Sequence, residues 1–294
     1  MLDVRRLRVL REVAARGTIA AAARSLAYTP SAVSQQLSAL EREAGVALLD
    51  RGAGRIALTE AGRGLVRRTE GILDDLEAAE AELEATASLV GGTVTIAAFP
   101  SAGRALLAPA LAVLRDRHPQ LDARLEELEP EASLPALRMG EVDVAISHEN
   151  ARHAPVAEAR LQRTELFEEP LLLALPADGA NGGAHSLAGL AGERWISMPP
   201  GSACHGLLLD ACAQVGFEPA IAYHTNDFGV ISEFVASGLG VALVPTLSEP
   251  AFGPGVALRP VADAHAARRL YAAVRAGTAQ RPAVAAVLGA IASR

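Results

Sequence analysis

The sequence predicts an N-terminal all-α winged helix-turn-helix, a long linker helix, and a C-terminal α/β domain of two lobes. Three observations predict this. A helix, turn, helix pattern with its own capping residues is followed by two short alternating strands. A helical run beyond them carries apolar residues at alternating spacings of four and three. From Thr93 onward, short strands alternate with helices. The boundaries read as 1–58 for the head, 59–90 for the linker and 91–294 for the body, with lobe one at about 91–162 and 268–294 and lobe two at about 163–267.

Asp3 caps a first helix in which Leu7, Leu10 and Val13 recur at helical spacing, and Gly17 ends it. Thr18 caps a second helix, IAAAARSL, whose small residues allow close packing. Ala27 and Tyr28 make the turn. Thr29 is the next N-cap and Pro30 the first helical residue, where its missing N–H costs nothing. This third helix runs to Ala44 and stops at Gly45. Val33, Leu37 and Leu40 line its inner face, and Pro30, Ser31, Ser34, Gln35 and Ser38 its outer face.

Such an outer face suits a helix that enters the major groove of DNA, where hydroxyls and an amide meet base edges and phosphates. Gln35 is a candidate for adenine, with Gln36 beside it, and the capping residues Thr18 and Thr29 join this set. The competing reading is a solvated face of a small helical bundle. The wing favours DNA: ALLDR and RIALT alternate around Gly52-Ala53-Gly54, and the flanking Arg51 and Arg55 would reach phosphate or the minor groove. Charge agrees. Residues 1–68 carry 12 Arg against 6 Asp and Glu, a net of +6, while the whole chain is −7. A basic head on an acidic body confines DNA contact to the head.

The stretch SLAYTPSAVSQQLSALEREAGVALLDRGAGRIALTEAGR resembles the LysR-type transcriptional regulators, and the likeness continues more weakly over nearly all 294 residues. Leu49 departs from the family's usual Phe but fills a similar apolar slot. The resemblance implies a C-terminal effector domain like the periplasmic solute-binding proteins, an inducer pocket at the positions of Ser101, Ser202 and the Asn226–Phe228 turn, and a homotetramer made of two dimers.

Half the residues are hydrophobic but only 3% are aromatic, so the cores are built from Ala, Leu and Val. All 27 basic residues are Arg, as a GC-rich genome would favour. The start, MLDVRRLRVL, is an amphipathic helix and not a secretory segment. No apolar run approaches the ~20 residues that span a bilayer. A cytoplasmic protein is expected.

In the linker, Leu65, Thr69, Ile72, Leu76, Ala79, Leu83, Thr86 and Val90 trace a heptad seam. It reads as a homodimerising helix, with packing on its own chain as the alternative. In the body, TVTIAA, LDARLEE and VDVAIS are strands, with helices from Pro100-Ser101 and at SLPALRM, an order that argues a parallel, doubly wound sheet. A second set follows through RWISM, AIAYHT and VALVP, and the tail RRLYAAVR and PAVAAVLGAIAS returns to lobe one.

Ligands of such sheets bind at strand C-termini, where helix N-termini point free N–H groups. Pro100-Ser101, Gly201-Ser202 and Asn226-Asp227-Phe228 qualify, and Ser147-His148 ends another strand; simple helix capping is the alternative for each. Helix N-termini favour a small carboxylate as effector. Glu129 and Glu131, read as lying in the loop after the second strand, would favour a cationic or neutral one if they face the cleft. Cys204 and Cys212 lie eight apart on one helix. The peroxide-sensing branch of the resembled family uses a cysteine pair in this region, so a redox-responsive regulator is a second reading. Eight helical residues span roughly 12 Å, beyond the about 7 Å a disulfide allows. No nucleophile elbow, P-loop, dinucleotide fingerprint or metal-ligand spacing occurs, so no metal, cofactor or catalytic role is expected. A cytoplasmic binding protein or enzyme is the remaining class; turnover, or DNA affinity indifferent to salt, would favour it.

Overall fold

The computed structural model describes residues 1–50, 57–87, 90–155, 160–179 and 185–293. The chain divides into two compact units, residues 1–87 with 276–280, and residues 88–275 with 281–294.

In the first unit, capping residues set the helix starts. Asp3 accepts from the Arg5 N–H at 2.7 Å and opens α1, Val4–Arg16. Thr18 accepts from Ala21 N at 3.1 Å and opens α2, Ile19–Ser25. Thr29 accepts from Ala32 N at 3.1 Å and opens α3, Pro30–Ala44. Glycines in the left-handed region close α1 and α3, Gly17 at φ 71° and Gly45 at φ 69°. Leu7, Leu10, Val13, Ala22, Ala23, Val33, Leu37 and Leu40 form one core with Leu48 and Leu49. Leu49 thus occupies the apolar slot expected of it. The strands β1, Leu49–Asp50, and β2, Ala57–Leu58, pair antiparallel.

Helix α4, Glu60–Ala87, divides its apolar residues between two jobs. Thr69, Leu73 and Ala81 are buried within the unit. Ile72, Leu76 and Leu83 stay exposed, Leu83 at 73%. The predicted seam is therefore not a single stripe. Its Thr69 packs on the chain itself, together with Leu73 and Ala81, which lie off it. Ile72, Leu76 and Leu83 form an unburied remainder.

The second unit begins with β3, Gly92–Ala98, and a helical stretch made of α5, Pro100–Ala102, a π-turn at Gly103–Leu107, and α6, Ala108–Arg117. Then come β4, Leu121–Glu127; α7, Pro130–Met139; β5, Val144–Asn150; and the long β6, Leu161–Pro176. Lobe two adds β7, Arg194–Ser197; α8, Ala203–Gln214; β8, Ala220–His224; α9, Phe228–Ala236; β9, Val241–Pro245; and β10, Val256–Pro260. The chain closes with β11, Ala267–Arg275, and α10, Pro282–Ala292.

The sheet is mixed, which corrects the expectation of a parallel one. Its order is β4-β3-β5-β11-β6-β9-β7-β8, with β10 on β6. Pairs within each βαβ set are parallel, β3 with β4 and β5, and β7 with β8 and β9. The connecting strands β11 and β6 run antiparallel to their neighbours. The start of β6 pairs with β11 and its end, Leu171–Pro176, with β9 and β10. One strand thus serves both lobes. Lobe one packs Ala97, Leu137, Val142, Ala145 and Tyr271; lobe two packs one core around Trp195, Leu208 and Cys212 and another around Ile196, Ile231 and Val235. Helix α7 starts at Pro130, three residues before the predicted SLPALRM, so Glu129 is its N-cap residue and Glu131 lies in its first turn rather than in a loop. No described helix is long and apolar enough to cross a membrane.

Candidate nucleic-acid interface and effector cleft

Thr29, Pro30, Ser31 and Gln35 are exposed on α3, and Ser34 and Ser38 are half-buried beside them. Thr18 and Thr29 spend their hydroxyl oxygens on helix caps. Gln36 is turned toward the scaffold: its Oε1 accepts from Arg6 Nε at 3.2 Å, and Arg6 also pairs with Glu43. Gln35, one position back, faces water. Glu41 holds the wing's root, accepting from the N–H groups of Leu48 at 2.9 Å and Leu49 at 3.1 Å. Arg51 and Arg55 lie outside the described residues. Thr59 caps the start of α4, accepting from Gly62 N at 3.0 Å, while its hydroxyl donates to the Ala47 carbonyl at 2.8 Å.

In the second unit a cavity of about 710 Å³ opens between the lobes. Pro100, Ser101, Asn226, Asp227 and Phe228 all line it, and Arg104, Glu127, Glu129, Thr225, Gly229 and Ala251 complete the wall. Gly201, Ser202, Ser147 and His148 do not line it. Ser202 caps α8 by accepting from His205 N at 3.2 Å. Ser147 and His148 do not end a strand as expected but lie buried inside β5, which runs on to Asn150 against β11, and Ser147 Oγ and His148 Nδ1 have no hydrogen-bond partner among the described residues.

Arg268, 1% exposed, ties the cleft together. Its Nε donates to Glu169 Oε2 at 2.7 Å and its Nη2 to Ser101 Oγ at 3.3 Å, and its guanidinium lies 4.7 Å from the centre of the Phe99 ring. Glu169 also accepts from Leu247 N at 2.5 Å. His148 stands edge-on to Phe99, 5.0 Å between centroids, and burial together with the Arg268 charge holds its imidazole neutral, well below the usual range. Burial raises the Glu129 carboxyl, the neighbouring Glu131 and Glu127 charges raise it further, and Arg268 opposes them. Sequence reasoning passed over Arg104, Arg268 and Glu169. The one available signal was the pair of arginines at the head of the mainly apolar strand RRLYAAVR.

Cys204, half-buried, has its sulfur 3.8 Å from His148 Nε2 and 3.9 Å from Arg268 Nη1. Burial pushes its thiol up to about 11, against the Arg268 charge. Cys212 sits in the lobe-two core and burial pushes it to about 12. Both are free. A thiol so placed holds on the order of a hundredth of the usual thiolate, so iodoacetamide at neutral pH is expected to label Cys204 about 100-fold more slowly than free cysteine. Labelling within tenfold of free cysteine would show a reactive thiol instead.

Two family models match the chain. One, for the bacterial regulatory helix-turn-helix protein of the lysR family, covers residues 4–63; the other, for the LysR substrate binding domain, covers residues 87–294. The chain belongs to the LysR family. It is a DNA-binding transcriptional regulator with an effector-binding domain. Among LysR relatives, the DNA-binding transcriptional dual regulator OxyR of Escherichia coli K12 is 27% identical over 251 residues, spanning 85% of this chain and 81% of its own. A probable RuBisCO transcriptional regulator of Cyanophora paradoxa is 30% identical over 247 residues, spanning 82% and 76%. A full-length OxyR variant from Pseudomonas aeruginosa superposes with a TM-score of 0.74 at 23% identity, covering 99% of this chain and 95% of that one. That last likeness is one of fold.

Proposed function

We propose that this LysR-type regulator reads DNA through the outer face of α3 and is controlled by a small molecule in the cavity between its lobes. The observation that carries the second part is the convergence of Pro100, Ser101, Asn226, Asp227 and Phe228, from three separate stretches of sequence, on one ligand-sized space. Function divides as 1–58 for DNA, 59–90 for assembly and 91–294 for the effector. Two recognition helices on a homodimer read half-sites related by two-fold symmetry, and two dimers make a tetramer. The regulator acts in the cytoplasm and catalyses no reaction. Footprinting on the DNA upstream of its own gene, at two salt concentrations, tests the reading. A two-fold symmetric protected site with steep salt dependence supports it. A footprint unmoved by every ligand that binds the cavity removes the coupling between the two sites.

Ser31, Ser34, Gln35 and Ser38, with Arg51 and Arg55 from the wing, make the DNA contacts. Gln35→Ala is expected to change preference at one base position by about 1–3 kcal/mol. Competition binding against single-base variants of the site measures this, and an unchanged ranking would place Gln35 on the backbone or in water.

The exposed residues Ile72, Leu76 and Leu83 support a second copy packing along α4. Leu76→Glu with Leu83→Glu is expected to convert the assembly to smaller species in light scattering at micromolar concentration, with the melting of the second unit unchanged. An unaltered mass would move the interface elsewhere.

A further inference from the structure

The cavity's charge points to the class of its ligand. Four ionisable side chains face it, Glu127, Glu129, Asp227 and Arg104. Three are acidic. The single base, Arg104, is held by its Nη2, which donates to the Leu247 carbonyl at 2.9 Å, and its one charge leaves the wall net negative. The next positive charge, Arg268, is buried behind Ser101 and neutralised by Glu169.

Two of the helix starts that would attract an anion, those of α8 and α9, are occupied by the chain's own oxygens. At α8, Glu131 accepts from Ala203 N and Ser202 from His205 N. At α9, Asp227 Oδ1 accepts from Gly229 N at 2.7 Å and Val230 N at 3.3 Å. At α5 the first residue is Pro100, which has no N–H. At α9 a carboxylate ligand would have to displace Asp227, and anywhere in the cavity it would sit beside three acids.

The carboxylates of Glu127 and Glu129 make no hydrogen bond or ion pair with a described residue. Glu129 is half-buried, and burial and the Glu131 and Glu127 charges raise its carboxyl against the opposing charge of Arg268, an arrangement that a further positive charge relieves. Phe228 adds an aromatic residue to the wall, suited to a cation or an aryl body. Thr225 and Asn226 add neutral polar groups. No three His, Cys, Asp or Glu among the described residues converge as metal ligands, so the complementary cation is organic.

We infer that the inter-lobe cavity takes a small organic cation, an amine or guanidinium on a neutral body, rather than a carboxylate. This rests on the reading of the cavity as the effector site, and it adds the ligand's charge.

Titration calorimetry on the full chain at physiological salt, with matched probes, tests it. The probes are benzylamine against benzoate, putrescine against succinate, and agmatine. At least one of the three cations is expected to bind saturably, at least tenfold tighter than either carboxylate. Glu127→Gln with Glu129→Gln should cut that affinity at least tenfold, with folding checked by melting. Benzoate or succinate binding as tightly as the best cation, or no saturable binding by any cation, overturns the inference from the wild-type protein alone. Cation affinity indifferent to the double variant also overturns it. Footprinting in parallel separates the two claims. A carboxylate that binds and moves the footprint keeps the cavity as effector site and overturns the charge. A cation that binds in a Glu-dependent way and leaves the footprint unmoved keeps the charge and overturns regulation from the cavity.

Discussion

Replacing Glu169 by Ala is expected to destabilise the second unit by about 3–5 kcal/mol, because it strands a buried guanidinium. Arg268 and Glu169 are 1% and 2% exposed, and their side chains meet at 2.7 Å. The other partners of Arg268, the Ser101 hydroxyl and the Cys204 sulfur, carry no compensating charge. The Leu247 N–H would lose its acceptor as well. Removing both charges together should cost far less: Glu169→Leu with Arg268→Met takes away the attraction and the desolvation at once. Urea denaturation of the three proteins measures this. A loss below about 1 kcal/mol in Glu169→Ala would mean that water reaches the pair and that the cleft is looser than its packing implies.

Gly62→Ala is expected to disable DNA binding while leaving the second unit's melting untouched. A Cβ at Gly62 would stand 2.1 Å from the Leu48 carbonyl oxygen, which already accepts from Thr59 N at 3.0 Å. Backbone cannot swing aside as a side chain can. Either α4 moves off β1 or the Thr59 bond breaks, and overpacking of this kind costs about 1–3 kcal/mol or more. Since the root of the wing and the start of α4 share that contact, affinity for a specific site should drop at least tenfold in a mobility-shift titration. Gly64→Ala is the control. Its Cβ would find only Arg67 Nη2, at 3.9 Å. There Ala should stabilise the helix by roughly 0.5–1 kcal/mol. If the two substitutions behave alike, the close approach at Gly62 is not what demands glycine.

The head was legible because local chemistry decides it. Asp3, Thr18 and Thr29 cap the helices, Gly17 and Gly45 end two of them, and Val33, Leu37 and Leu40 point inward, all within one turn of the bonds they make. The body's strands were legible as strands but not in direction. Alternation tells which residues are buried, and nothing in LFEEPLLLALP says that β6 runs against β9 and β11. The short β10 went unseen because VALRP follows Gly255, ends in Pro260 and carries too little pattern to stand out. Pro130 did carry a signal, a proline at the first helical position, and it would have moved Glu129 and Glu131 out of the loop. In the cleft, Ser101 and the Asn226–Phe228 turn could be proposed from strand ends alone. Glu169 and Arg268 could not, since their positions differ by 99 and only the fold brings them together. Along α4, heptad spacing could not separate the residues that pack on the chain from those left exposed.

The membership of residues 276–280 in the first unit has a consequence in time. Gly277, at φ 88°, lies so close to α4 that a Cβ there would stand 2.7 Å from the Ala78 Cβ, and Thr278 beside it is 2% exposed. A ribosome adds Gly277 about two hundred residues after Ala78, which at roughly 5–20 residues per second is an interval of about 10–40 s. Through that interval the nascent first unit holds its helix-turn-helix core but lacks the packing of residues 276–280 on α4. A chain released early, anywhere before residue 276, never acquires it. The first unit is thus finished only after β11 has been made, so a fully packed first unit certifies a body translated through its last strand.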